Sequence, residues 1–173
     1  MADVRSRGES FEQLEGITAG YEPYLADGLL LSTRPQQART ALARIRTILR
    51  DSQYSAYLYD EAYGYGVDKI AVIKSLNEYD YLAMVRTDGV NYDLEHNDVL
   101  ARYRTWDQIY GLSLNGAGQD WLEATFATPP DDWMSFAQEV YEFCPDVVDQ
   151  GTGDIESLAD EMRRSNFVYL WWD

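Results

Sequence analysis

The sequence predicts an α+β fold: a split β-α-β, ferredoxin-like arrangement with an antiparallel or mixed sheet and helices packed mainly on one face. Three observations carry that expectation. The chain of 173 residues is 46% apolar, with 14 tyrosines and 5 tryptophans, and a chain of this length can withdraw roughly 70% of its unfolded surface from water. Apolar spacing switches repeatedly between the three-to-four interval of helices and the short runs or alternation of strands. Read in order, the strand at Ile70, the helix at Val99, two hairpin strands, the helix at Phe136 and the strand at Phe167 give β-α-β-β-α-β, with one extra helix in each half.

The first 20 residues, with Arg5-Ser6-Arg7-Gly8 and little apolar content, are expected to be a loosely held arm ahead of a single domain over residues 21–173. Arg34 to Arg50 reads as a helix: Pro35 suits a first turn, and Ala38, Leu42, Ile45 and Leu49 form one apolar stripe. Tyr54 to Tyr59 alternates weakly as a strand, Tyr63-Gly64-Tyr65-Gly66 reads as a turn, and Ile70-Ala71-Val72-Ile73 as a buried strand. Asn77 caps a short helix through Leu82 and Ala83 that ends near Asp88-Gly89. A second helix follows Asp93 with Val99, Tyr103, Trp106 and Tyr110 on one face. Tyr110 to Leu114 and Trp121 to Ala127 read as strands joined through Asn115-Gly116-Ala117-Gly118. Pro129-Pro130 stops the second of these, and Asp131 or Asp132 caps a helix that buries Trp133, Phe136, Ala137, Val140 and Phe143 and closes at Pro145. A loop through Gln150-Gly151-Thr152-Gly153 leads to a helix with Ile155, Leu158, Ala159 and Met162 inward, and Phe167 to Trp172 is an aromatic closing strand.

Charge divides the chain unequally. With 14 Lys and Arg against 30 Asp and Glu the formal charge is −16, which opposes wrapping nucleic acid or lying on anionic lipid. Residues 105–162 hold 13 carboxylates and not one Lys or Arg, whereas Arg34 to Arg50 carries five arginines and no acid. No apolar run of signal-peptide length opens the chain and none approaches the ~20 residues of a membrane span, so a cytoplasmic protein is expected.

The chemistry-bearing residues are few. One cysteine, Cys144, and one histidine, His96, are too few for a zinc site of three or four such ligands. Cys144 has only acids nearby and reads as a packed thiol at a helix end. His96 reads as a solvated residue at a helix start. Asp146, Asp149, Asp154 and Glu156 offer oxygen ligands for Mg²⁺ or Ca²⁺, but their spacing departs from the EF-hand loop, with Val148 at its third position. Ordinary helix chemistry is the competing account of Asp154 and Glu156, which the positive N-terminal end of the helix they precede or begin favours. No phosphate-binding glycine signature is present, and no cofactor is called for.

At Tyr141-Glu142-Phe143-Cys144-Pro145-Asp146-Val147-Val148-Asp149-Gln150-Gly151-Thr152-Gly153, with the ending Val168-Tyr169-Leu170-Trp171-Trp172-Asp173, the sequence resembles the bacterial DUF4253 family. The resemblance runs from about Asp88-Gly89-Val90-Asn91-Tyr92-Asp93 to the C-terminus. It implies a shared fold and a bacterial origin, with settings that include toxin-associated immunity genes, and it contributes no catalytic residue.

The functional expectation is an immunity-type interaction protein that blocks a cationic toxin or effector domain. Its contact surface is expected at Asp131, Asp132, Glu139 and Glu142 on the outer side of their helix, with Asp146, Asp149, Asp154 and Glu156 beside it. The alternatives are a metal-dependent hydrolase built on the carboxylates between Asp146 and Glu156, and an acidic decoy of nucleic acid. Against all three stands the plain reading that a charge run is a solvated face.

Overall fold

Strands and helices alternate along the computed structural model, which describes residues 11–34, 36–62 and 66–173. The chain divides between Arg86 and Thr87 into two compact units.

In the first unit, strands β1 (Phe11–Ile17), β2 (Pro23–Thr33), β3 (Ser55–Asp60) and β4 (Asp68–Ile73) lie in the order β1-β2-β4-β3, every neighbouring pair antiparallel. Register explains which side chains are buried. Leu30 faces Ala71, and Ala71 faces Tyr57, so period-two alternation puts all three on one face, where each is at most 5% exposed. Helix α2 (Glu78–Val85) lays Tyr81 on Tyr57 there, with ring centroids 4.4 Å apart and the Tyr81 hydroxyl donating to the Leu58 carbonyl at 3.1 Å. Asn77 caps α2 by accepting from the Tyr79 N–H at 3.2 Å. Helix α1 (Ala38–Leu49) buries Ala38 and Leu42 and packs on β3 and β4.

Two expectations fail in this unit. Residues 11–17, assigned to a loose arm, form β1, with Leu14 wholly buried. The apolar signal is thin because Glu12, Gln13 and Glu15 intervene, and the strand is held by its ladder to β2. The ferredoxin-like order is not what the pairing gives: the two neighbours of the Ile70 strand are β2 and β3. A strand at residues 23–33 had no place in the predicted order. Helix α2 also ends earlier than expected, at Arg86 in the left-handed region (φ 53°), whose N–H bonds the Leu82 carbonyl at 2.9 Å. Pro35 and most of the expected Tyr63–Gly66 turn lie outside the described residues.

The second unit opens with a 3₁₀ turn (Val90–Tyr92) and helix α3 (His96–Tyr110), whose start is a capping box between Glu95 and Asp98. Strands β5 (Leu112–Ala117) and β6 (Trp121–Phe126) form a hairpin, and β7 (Phe167–Trp171) pairs antiparallel with β6. The hairpin turn comes later than predicted. Asn115 stays in β5 at a register shift, its amide donating to Glu123 and Thr125, each at 2.8 Å. Helices α4 (Trp133–Phe143) and α5 (Ile155–Ser165) pack together. Between them the expected loop is a π-helical turn, Val147–Thr152. The core of α4 is a herringbone of rings, with Phe136 edge-on to Trp106, Tyr110 and Phe126 at 5.1–5.4 Å. No helix among the described residues is long and apolar enough to cross a membrane.

Candidate functional site

Asp131 and Asp132, which precede α4, are exposed, and so are Glu139 and Glu142, as the helical pattern of α4 requires. They do different work. Asp132 is the N-cap, accepting from the N–H groups of Met134 and Ser135 at 3.0 Å and from the Ser135 hydroxyl at 2.7 Å. Those bonds, led by the one from the Ser135 backbone, hold its carboxyl below the usual range. Glu139 accepts from the Trp106 indole at 3.2 Å, and Glu142 from the Gln138 amide at 3.0 Å. Beyond α4, Asp149 accepts from the Tyr141 hydroxyl at 3.2 Å, and Asp154 caps α5 through the Ser157 N–H at 2.7 Å. Glu156 follows in the exposed first turn of α5, where the helix dipole favours an acid.

Asp146, expected on the same surface, is only 2% exposed. Its carboxylate accepts from the Tyr92 hydroxyl at 2.5 Å, the Gln150 amide at 2.9 Å and the Asp173 N–H at 2.9 Å. Burial would raise its pKa, but these three donors outweigh it and keep the group below the ordinary carboxylate range. Proton donation to Asp146, with desolvation adding to it, pushes the Tyr92 phenol up to about 12. A carboxylate saturated from inside is a structural hub and not a contact residue. Nothing in the sequence signals this, since one of the donors is a backbone N–H 27 positions away that no residue type marks.

The same turn holds the chain end by a second bond. The Cys144 thiol, wholly buried, donates to the Trp171 carbonyl at 3.0 Å, and burial pushes it up to about 12. Such a thiol is a poor nucleophile, as the sequence suggested. Trp172 lies beneath, 4% exposed and edge-on to Phe143, directly against Gly89, where an added Cβ would sit 2.9 Å from the indole ring. The segments that carry the family resemblance are thus fastened to one another, and their buried polar groups, the Cys144 thiol and the Asp146 carboxylate, are consumed in folding.

His96 departs from expectation. It is 4% exposed, and Nδ1 lies 3.2 Å from the Thr87 carbonyl, which makes Nδ1 the donor. As the first residue of α3 its ring turns inward while Glu95 and Asp98 occupy the solvent side. Glu123, one of the 13 acids of residues 105–162, is likewise buried, beside Asn115.

No group of three or more His, Cys, Asp or Glu among the described residues is placed to hold a metal ion. The four carboxylates between Asp146 and Glu156 diverge: one points at Tyr92, one at Tyr141, one at the start of α5 and one at solvent. A shallow depression of about 390 Å³ beside α5, lined by Thr152, Ser157, Asp160, Glu161, Arg163 and Arg164, is occupied along one wall by the Arg163–Asp160 ion pair at 2.9 Å. Asp131, Asp132, Glu139, Glu142, Asp149, Asp154 and Glu156 take no salt bridge among the described residues.

Comparison with known proteins gives one match: the family model described as "Domain of unknown function (DUF4253)" covers residues 69–173, beginning inside β4 and so reaching further toward the N-terminus than the resemblance read from the motifs. No curated protein and no solved structure matches the chain.

Proposed function

The chain belongs to the DUF4253 family, and from that premise we propose that it is a cytoplasmic interaction protein of the bacterial immunity type, which binds and blocks a cationic toxin or effector domain. The observation that carries the reading is the set of seven exposed carboxylates, Asp131, Asp132, Glu139, Glu142, Asp149, Asp154 and Glu156, without a salt bridge among the described residues and inside a stretch with no Lys or Arg. Asp146 is left out of the surface. Two opposite charges about 4 Å apart attract by ~1 kcal/mol in bulk water and ~4 kcal/mol at an effective dielectric of 20, so a handful of facing pairs steers encounter and selects a basic partner. Catalysis has no comparable support, because the thiol is protonated and buried and the carboxylates do not converge.

The test is co-purification with the product of the neighbouring gene, followed by titration of the pair. Association is expected to weaken steeply between about 50 and 300 mM salt, and the triple variant D131K/E142K/E156K to lose at least about tenfold in affinity at the lower salt. Affinity that ignores both salt and charge reversal overturns the reading.

A further inference from the structure

We infer that the outer face of α1 docks on the acidic second unit of another copy of this chain, so that copies associate head to tail. The inference does not rest on the partner proposed above. Of the arginines on α1, Arg39 is tied to Glu61 at 2.9 Å, and Arg46 to the Ala56 carbonyl at 2.9 Å with its guanidinium over the Tyr57 ring. Arg44 has no such tie. Its side chain is exposed and makes no ion pair or hydrogen bond among the described residues, and the same holds for Arg50 at the C-cap and Arg34 ahead of the helix. Four residues on from Arg44, on the same flank, Ile48 is 79% exposed. No Asp or Glu occurs between Arg34 and Arg50 to neutralise this face.

Arginine beside an exposed aliphatic side chain is the composition of a protein contact, since phosphate backbones offer nothing to an isoleucine and a chain of charge −16 repels them. The complementary surface is on the page. Asp131, Glu142 and Glu156 are exposed and take no ion pair among the described residues, so the charge that α1 could meet is left over for another molecule. One copy supplies the helix and its neighbour the acids, which makes the contact heterologous. A single helix face falls short of the roughly 1,200 Å² of a stable interface, so the association is weak and dominated by Coulomb attraction that salt removes.

Sedimentation velocity of the full chain at about 100 μM, a concentration suited to a weak contact, tests this. The weight-average mass is expected to exceed 19.9 kDa by up to about twofold in about 50 mM salt and to return to the monomer value at about 300 mM. Arg44→Glu alone, or Glu142→Lys alone, is expected to remain monomeric at low salt. Mixing the two restores association, because each supplies the surface the other has lost, and this also shows that both variants are folded. A monomeric wild-type chain at low salt overturns the inference. So does association that neither Arg44→Glu nor salt reduces, or a mixture that stays monomeric.

Discussion

Replacing Asp146 by alanine removes the acceptor of three hydrogen bonds at once, from Tyr92, Gln150 and the Asp173 N–H. A bond to an ionised acceptor contributes roughly 1.5–3 kcal/mol when buried. Tyr92 and Gln150 reach in from exposed positions, so water re-solvates their donors in the variant and each returns about 1 kcal/mol or less. The Asp173 N–H is part-buried and loses more. The expected total is about 3 kcal/mol, equivalent to a fall in Tm of about 6–12 °C for a chain of this size. Asp146→Asn keeps the shape and one acceptor, and is expected to cost about half as much. The pH dependence has a definite sign. The folded pKa of Asp146 lies below its unfolded value of roughly 3.9, so its contribution is complete above about pH 4 and is lost as pH falls through the folded value. Urea unfolding of wild type, Asp146→Ala, Asp146→Asn and the exposed control Asp131→Ala, followed by circular dichroism at pH 7 and pH 3, reads all of this. The control is expected within about 0.5 kcal/mol of wild type. An alanine variant as stable as that control would refute the hub.

Gly89→Ala is expected to destabilise by about 1–3 kcal/mol, because its Cβ would sit 2.9 Å from Trp172 Cδ1; an unchanged urea midpoint would show that the indole moves aside freely. Cys144 is expected to resist alkylation at pH 8 in the folded chain and to react at once in denaturant, measured by mass shift; rapid native labelling would contradict its burial. Asp154→Ala removes the N-cap of α5 and is expected to lower the midpoint of urea unfolding; an unchanged midpoint would show that the cap is dispensable. At alkaline pH, the hydrogen-bonded Tyr92 phenol contributes stability that is present below pH 10.0 and lost as pH rises toward about 12; ultraviolet difference titration of wild type against Tyr92→Phe isolates this one late-ionising group.

Much of the second unit was legible because each signal there is local. Asp132 before Trp133 caps a helix through the N–H groups two and three residues on, and Phe136, Ala137, Val140 and Phe143 fall on one face by helical geometry alone. Cys144 reads as a packed thiol from the acids around it and the proline after it. The hairpin was located with its turn misplaced, because Asn-Gly chemistry competed with a side-chain bond from Asn115 to Glu123, eight residues away, that spacing does not reveal. The first unit was less legible. In β1, ladder bonds to β2 supply what its acidic residues withhold, and a ladder partner is not written in a strand's own period.

For the candidate site, the sequence by itself determined the amount and sign of charge, since 13 carboxylates without a cation over residues 105–162 are a matter of composition. Tertiary structure alone decided which of them face water. Asp146 and Asp149 are three residues apart in equally acidic surroundings, yet one is buried under Tyr92 and the chain end while the other is exposed beside Tyr141. The difference comes from donors 54 and 27 positions away. A carboxylate gives up its hydration only where such donors replace it, and folding, not residue type, brings them there.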